Sequence, residues 1–194
     1  FVRWFHKYSG KVMVPTPSMV EELKAKRFIN LVAWTRGVDT EMFHPDRRIA
    51  EGAPDDPFAG MARPIFLNVG RVAVEKNIEA FVELDLPGSK VVVGDGPALE
   101  TLKKKYPEVH FLGARFGEDL ATYYASADVF VFPSLTDTFG LVVLEAMASG
   151  TPVAAYNATG PKDVIPGSDA GTITPLDGDL AAGAVACMDL ERAT

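Results

Sequence analysis

The sequence predicts an α/β domain built on a doubly wound parallel sheet. Short apolar runs rich in Val, Ile and Phe recur from residue 64 onward, and amphipathic stretches separate them. Most of the apolar runs are nearly continuous, which is typical of strands that are covered on both faces. Strand and helix alternating at short spacing favour parallel strands joined by helical crossovers.

The predicted strands of this region are short segments enriched in β-branched and aromatic residues. They cover residues 65–69, 90–93, 109–112, 129–132, 152–156 and 171–174. The predicted helices between and after them cover residues 75–84, 97–106, 118–127, 139–149, 161–165 and 180–190. Pro97 is tolerated in a first helical turn, and Gly150 stands where a left-handed residue ends a helix.

The first third of the chain has a different pattern. Residues 12–15 and 31–34 predict short strands, and residues 18–26 predict a helix. Residues 43–64 show no usable period, and a structureless stretch of roughly 20 residues usually marks a linker or a functional loop. We therefore predict a hinge or trailing piece at 1–40, a linker or loop at 41–63, and the main domain at 64–194.

Composition excludes several classes of function. The net charge of −7 argues against non-specific nucleic-acid binding, and 47% apolar residues suffice for a buried core. The single cysteine, Cys187, cannot form an internal disulfide, so a cytoplasmic location is the expectation. No apolar run approaches the roughly 20 residues of a membrane span. The opening FVRWFHKY leads us to expect a piece of a longer protein.

The turn NVGRVAVEKN follows the first strand of the main region and carries Gly70, Arg71 and Lys76. Ligands of open parallel sheets bind at the carboxyl ends of strands. A lysine in the first turn of a helix is unfavourable unless an anion lies there, and Arg71 and Lys76 could bind one phosphate group together. The alternative is that Glu75 neutralises Lys76 and Arg71 is a solvated loop residue.

The turn VVVGDGPALE carries Gly94 and Gly96 after an apolar strand. Glycines at this position suggest either a close backbone approach to a ligand or a plain tight turn. A nicotinamide fingerprint needs a third glycine where Leu99 stands, and the chain has no G-x-x-x-x-G-K-[ST] phosphate loop.

The stretch SLTDTFGLVVLEAMASG predicts a helix with an anion site at its start, where Gly140 and Leu141 present free N–H groups. Glu145 falls in the second turn of this apolar helix, so its carboxylate needs partners. Ligand hydroxyls are one possibility, which we favour, and a structural salt bridge is the other. Asp137 is either an N-cap or a ligand contact.

Other polar residues form no recognisable site. His6, His44 and His110 lack metal-ligand spacing, and Ser134 and Cys187 have no evident histidine partner for nucleophilic catalysis.

Taken together, NVGRVAVEKN, VVVGDGP, VHFLGARF and PSLTDTFGLVVLEAMASGTPVAA resemble the C-terminal, donor-binding domain of retaining GT-B glycosyltransferases of the group 1 type. That family includes lipid mannosyl- and sulfoquinovosyltransferases. The resemblance implies a Rossmann-like domain that forms the C-terminal half of a GT-B fold. Residues 1–40 then correspond to the hinge and to the end of a missing N-terminal acceptor domain.

The resemblance also implies roles for individual residues. Arg71 and Lys76 match the basic pair that binds the donor diphosphate, and Asp137 matches the acid that faces the donor sugar. Glu145 matches the acid that holds the ribose hydroxyls. The implied donor-binding residues are Gly70, Gly94, Gly113, Arg115, Phe139, Gly140, Leu141 and Glu145; Gly113 and Arg115 belong to the loop that borders the base.

The chain departs from the family pattern at two places. Asp137 stands where the family has a glutamate, which is one methylene longer. The family's glycine pair and following glutamate appear here as Thr159-Gly160-Pro161 with Asp163.

The implied function is transfer of a sugar from a UDP- or GDP-linked donor, with retention of configuration and no required metal or other cofactor. The implied partners are a nucleotide sugar and an acceptor glycan or glycolipid bound by the missing domain. Peripheral contact of the whole protein with the inner face of a membrane is part of the same expectation. The alternatives are a nucleotide-sugar epimerase or hydrolase of this fold and a non-catalytic nucleotide-binding module. The isolated chain is expected to be inactive.

Overall fold

A computed structural model describes residues 2–165 and 170–190, and a six-stranded sheet organises most of them. Its strands are β3 (Ile65–Val69), β4 (Ser89–Val93), β5 (His110–Gly113), β6 (Val129–Phe132), β7 (Val153–Tyr156) and β8 (Gly171–Thr174). The spatial order is β5-β4-β3-β6-β7-β8, and every pairing between them is parallel. This is the predicted doubly wound sheet, and its strand order reverses between β3 and β6.

A separate two-stranded parallel sheet lies in the first third of the chain. It pairs β1 (Val12–Val14) with β2 (Leu31–Ala33). The helices are α1 (Val2–His6), α2 (Pro17–Ala25), α3 (Ile78–Val82), α4 (Leu99–Lys105), α5 (Gly117–Ser126), α6 (Leu141–Ala148), α7 (Pro161–Val164) and α8 (Leu180–Ala186). Short 3₁₀ turns cover Pro45–Arg47, Val74–Lys76 and Cys187–Asp189.

Helices cover both faces of the main sheet, as the continuous apolar runs predict. Leu67 and Phe130 point toward a core that includes Tyr124 of α5 and residues of α6. Phe66, on the other face of β3, belongs to a second core formed with α3, α4 and α8. Successive residues of a strand point to opposite faces, so one buried strand contributes to both cores.

The predicted linker at 41–63 packs against the first of these cores. Phe43 and Phe58 are buried, and their rings meet those of Tyr124 and Tyr123 edge-on at 5.7 and 5.5 Å between centroids. Asp56 stabilises the turn by accepting hydrogen bonds from the backbone N–H groups of residues 52 and 58. The segment is therefore packed against the core although its sequence has no periodicity. The division of the chain into three parts stays a prediction.

Two helices begin later than predicted, because a residue with a left-handed backbone conformation precedes each of them. The helix predicted at 75–84 is a 3₁₀ turn followed by α3, because Asn77 has φ 54° and interrupts the helical path. The helix predicted at 139–149 begins only at Leu141, because Gly140 has φ 80°. Gly150, at φ 71°, follows the end of α6 as predicted.

No helix in the described part of the chain combines the length and the apolar character needed to span a bilayer.

Candidate functional site

A cleft of about 650 Å³ opens at the carboxyl ends of β3 and β6, where the strand order of the sheet reverses. The loop after β3 contributes Gly70, Arg71 and Lys76, and the loop after β6 contributes Ser134 and Asp137. The two loops leave neighbouring strands in opposite directions, which creates a crevice at this point in doubly wound sheets. Residues of the first third also line it, namely Met13, Pro15, Trp34 and Arg36.

The loop after β3 carries the two predicted cations, each beside an acid. The Arg71 guanidinium lies 3.4 Å from a carboxylate oxygen of Glu75, and both side chains are mostly exposed. Lys76 Nζ lies 2.6 Å from Asp137 Oδ1, with side-chain exposures of 32% and 20%. The alternative that Glu75 neutralises Lys76 is therefore wrong. Lys76 also ends a 3₁₀ turn instead of occupying the first turn of α3.

Three contacts join this loop to the one after β6. Besides the Lys76–Asp137 pair, Asn77 Nδ2 donates to the carbonyl of Pro133 at 3.0 Å. Thr136 Oγ1 donates to the carbonyl of Glu75 at 3.2 Å. These bonds hold the acid and the cation at one rim of the cleft, so a ligand meets a preformed arrangement.

Asp137 is not the N-cap of α6. Gly140 takes the cap position, and the described residues supply no side-chain hydrogen bond to that end of the helix. Asp137 Oδ2 is buried and has no hydrogen-bond partner among them. The carboxylate therefore has one oxygen paired with Lys76 and one without a hydrogen-bond partner among the described residues.

The start of α6 faces the cleft, where Gly140, Leu141 and Val142 are part of the lining. The first N–H groups of a helix lack intrahelical partners, and the helix dipole places partial positive charge there. The Val143 N–H donates to the Gly140 carbonyl at 2.9 Å, which closes the first turn. This helix start and the two cations can together bind a phosphate group.

Glu145 lies one helical turn beyond Leu141 on the same face of α6, outside the lining of the cleft. Its Oε2 accepts a hydrogen bond from the hydroxyl of fully buried Tyr124 at 2.9 Å. No salt bridge links Glu145 to any other residue that the structure describes, so the predicted alternative is not found. Burial raises the pKa of Glu145, and the Tyr124 hydrogen bond partly lowers it. Burial and the nearby Glu145 carboxylate raise the pKa of Tyr124.

The structure gives a packing reason for Gly94, whose role in donor binding stays a prediction. A Cβ on Gly94 would lie 1.8 Å from the Gly70 carbonyl oxygen, and one on Gly96 would lie 2.3 Å from that of Val72. The turns after β3 and β4 run side by side, and the Gly70 N–H donates to the Val93 carbonyl at 3.0 Å. The close approach is thus between two backbones of the protein, and Gly94 lies outside the cleft lining.

The predicted base-binding loop follows β5, and its residues Gly113 and Arg115 are not part of the cleft lining. Gly113 has φ 73°, and the Arg115 guanidinium lies 5.6 Å from the centre of the Tyr123 ring. Arg115 also approaches Asp119 at 3.6 Å. Phe116 is 79% exposed next to them. This loop therefore offers a guanidinium and an aromatic ring at the carboxyl-end edge of the sheet, directly after the strand β5.

The turn after β7, which contains Gly160, packs against the loop that carries Asp137. A Cβ on Gly160 would lie 2.9 Å from the Asp137 carbonyl oxygen, so this turn packs tightly against the segment that leads to Phe139, which lines the cleft. Asp163 in α7 accepts hydrogen bonds from the backbone N–H and the hydroxyl of Ser18 at 3.2 and 2.8 Å. Asp163 thereby connects α7 to the start of α2.

Sequence reasoning missed two polar residues at the floor of the cleft. Asn68 is 2% exposed inside β3, and Ser134, considered only as a nucleophile, is 1% exposed. A polar residue within the apolar run IFLNV was a visible signal for the first of them. Among the described residues, no three potential metal-binding side chains come together.

The sequence of this chain is similar to those of known glycosyl transferases. The profile of the family described as "Glycosyl transferases group 1" matches residues 63–190. Sulfoquinovosyl transferase SQD2 of Arabidopsis thaliana is 38% identical over 181 residues, covering 85% of this chain and 34% of that protein. A GDP-mannose-dependent alpha-mannosyltransferase of Mycobacterium tuberculosis is 37% identical over 182 residues, covering 89% of this chain and 47% of its own length.

Solved structures share the fold. Sucrose-phosphate synthase from Thermosynechococcus elongatus superposes with a TM-score of 0.77 at 28% identity, covering 95% of this chain and 50% of that one. Anabaena Alr3699/HepE, solved in complex with UDP and glucose, gives a TM-score of 0.73 at 20% identity, over 95% of this chain and 55% of its own. The chain spans about half or less of the length of these proteins. With its parallel sheet, its cleft and these matches, the chain belongs to the group 1 family of glycosyl transferases.

Proposed function

We propose that this chain is the donor-binding domain of a retaining glycosyltransferase that uses a nucleotide-diphosphate sugar. The observation that carries the proposal is the convergence of Arg71, Lys76 and the start of α6 on one cleft at the strand-order reversal. The alpha-mannosyltransferase of Mycobacterium tuberculosis described above is GDP-mannose-dependent, which supports a nucleotide-linked donor.

In the proposed reaction the bond between the anomeric carbon and the diphosphate oxygen breaks, a bond from that carbon to an acceptor hydroxyl oxygen forms on the same face, and the hydroxyl proton passes to the departing diphosphate. Negative charge develops on the departing diphosphate, and Arg71, Lys76 and the N–H groups of Gly140 and Leu141 stabilise it. These groups supply positive charge without a divalent ion, so we propose that no metal is required. Asp137, with its unpartnered Oδ2, accepts a hydrogen bond from a sugar hydroxyl.

Glu145 and the β5 loop hold the nucleoside in this proposal. Glu145 uses Oε2 for Tyr124, which leaves Oε1 for a ribose hydroxyl. Gly113, Arg115 and Phe116 border the base. The acceptor, a glycan or glycolipid, binds to a domain outside this chain, so the chain alone binds the donor without transferring its sugar.

Substitution of Lys76 tests the proposal. Lys76→Ala removes a charge-assisted contact to phosphate, which is worth about 1.5 to 3 kcal/mol, or roughly a tenfold to hundredfold loss of affinity. Calorimetry of the isolated chain with UDP, GDP and ADP measures this loss. Lys24→Ala is the matched control, because Lys24 pairs with Glu21 on the surface of α2 at 2.8 Å, far from the cleft.

The same variant is also tested for transfer in a full-length protein that carries this chain, with product analysis on a labelled donor. Near-normal transfer by Lys76→Ala would remove this lysine from the mechanism. Sugar transfer by the isolated chain would contradict the division of labour between two domains. Free sugar as the sole product would favour a hydrolase.

A further inference from the structure

Two buried polar atoms on the floor of the cleft have no hydrogen-bond partner in the part of the chain that the structure describes. Asn68 Oδ1 and Ser134 Oγ accept or donate no hydrogen bond within the described residues, although both residues are at least 98% buried. Both residues line the cleft. Buried polar atoms are nearly always paired with protein, water or ligand, so this pair calls for an occupant.

The orientation of the Asn68 amide is determined by the sheet. Its Nδ2 donates to the carbonyl of Val131 at 2.9 Å, just beyond Leu67 and Phe130, the last residues paired between β3 and β6. A reversed amide would place Oδ1 against that carbonyl, and two acceptors would repel each other. Asn68 Oδ1 is therefore the amide atom left as an acceptor without a partner among the described residues.

An acceptor at this position selects the chemistry of the occupant. A fully ionised phosphate has no hydrogen to donate, so it cannot satisfy Asn68 Oδ1. A hydroxyl group can, and a second hydroxyl can both donate to and accept from Ser134 Oγ. The position of Ser134 is fixed by the neighbouring Pro133 carbonyl, which accepts from Asn77. A polyol with neighbouring hydroxyls matches both side chains.

We propose that Asn68 and Ser134 form a polar floor that binds hydroxyl groups of the transferred sugar and so contributes to the choice of sugar. This inference rests on the proposed function, because it assigns one part of the nucleotide sugar to these two side chains. The cations and the helix start at the rim bind the diphosphate, while the floor binds the sugar.

The test compares a nucleotide sugar with its nucleoside diphosphate on the same chain. Calorimetry uses GDP and GDP-mannose, and UDP and UDP-glucose. In the pair that the wild type binds, Ser134→Ala is expected to weaken binding of the nucleotide sugar about fivefold to tenfold and to leave binding of the diphosphate unchanged.

Ser149→Ala is the matched control. Ser149 is 1% exposed and its Oγ is also without a partner among the described residues, yet it lies at the opposite end of α6 from the cleft. The same chemical change there is expected to alter neither affinity. Asn68→Ala, checked for folding by thermal unfolding, is expected to act like Ser134→Ala; if it does not fold, the two serine variants decide.

Equal effects of Ser134→Ala on the nucleotide sugar and the diphosphate, or no effect on either, would overturn the polar floor and leave the proposed function standing. Failure of the wild type to bind any of the four compounds would overturn the proposed function, and the floor with it.

Discussion

Neutralising Asp137 is expected to tighten the binding of a nucleoside diphosphate, although the same change removes a group from the proposed sugar site. Asp137 holds Lys76 through an ion pair of 2.6 Å at the rim of the cleft. A diphosphate that binds Lys76 must share the ammonium with this carboxylate. Asp137→Asn removes the competing charge and keeps the shape of the side chain.

The magnitude follows from the distance. A phosphate oxygen bonded to the Lys76 ammonium at about 2.8 Å lies within roughly 5.4 Å of Asp137 Oδ1. Two like unit charges at that separation repel by about 0.8 kcal/mol in water and by about 3 kcal/mol at an effective dielectric constant of 20. The Asp137 side chain is 20% exposed, so its environment lies between these limits. The affinity for UDP or GDP should therefore rise at least about fourfold.

Isothermal titration of the wild-type chain and of Asp137→Asn with UDP and GDP measures this gain. Glu21→Gln is the control, because Glu21 pairs with Lys24 at 2.8 Å on an exposed surface and should leave nucleotide affinity unchanged. The gain should shrink as salt is added, since screening weakens the repulsion being removed. Weaker or unchanged binding by Asp137→Asn, where the wild type binds, would refute the electrostatic argument.

Three further predictions concern stability. Gly94→Ala should lower the free energy of unfolding by roughly 3 kcal/mol or more, because its Cβ would lie 1.8 Å from the Gly70 carbonyl oxygen. Gly113→Ala is the control, because Gly113 has φ 73° and open space around its Cβ; it should lower the free energy of unfolding in urea by about 1 to 2 kcal/mol. Equal losses for Gly94→Ala and Gly113→Ala would contradict the packing explanation. Burial raises the pKa of Glu145 above its ordinary 4.5, so the folded protein binds the Glu145 proton more tightly than the unfolded chain does. The stability of the protein therefore falls as pH rises through the raised pKa. Glu145→Gln should therefore gain stability relative to the wild type as pH rises above 4.5, and a difference independent of pH would show that the carboxyl is not perturbed. Phe58→Ala should cost about 3 to 5 kcal/mol, because this side chain of the predicted linker is 2% exposed. Phe116→Ala, at 79% exposure, should change the free energy of unfolding by less than about 0.5 kcal/mol, and similar small effects at both positions would mean that the segment is not part of the core.

The central strands of the main sheet could be predicted because β3 and β6 are buried on both faces and therefore form continuous apolar runs. The helix starts could not. Asn77 and Gly140 adopt left-handed conformations, which depend on neighbours far away in the sequence. The Asn77 side chain, for example, is held by the carbonyl of Pro133, which follows another strand. Periodicity contains no information about such contacts.

The candidate site could be predicted residue by residue but not as a set of pairs. The positions of Lys76 and Asp137 after two strands, and the family resemblance, placed both at the same edge of the sheet. Their partnership depends on β3 and β6 being neighbours, and this follows from the strand order rather than from any local pattern. Gly94 shows the same limit, because the sequence identified the glycine but not the carbonyl of Gly70 against it.

Arg71 and Lys76 are each paired with an acid, and this pairing bears on selectivity. Glu75 lies beside Arg71 and Asp137 beside Lys76, so these two pairs add little net charge with which to attract a simple anion. Inorganic phosphate could satisfy Lys76 only by bringing its negative charge close to the Asp137 carboxylate, and the two like charges repel each other. A nucleotide sugar supplies both partners at once, since its diphosphate meets the cations while a sugar hydroxyl donates to the carboxylate. We infer that the ion pairs select against free anions and in favour of ligands that join a diphosphate to a sugar.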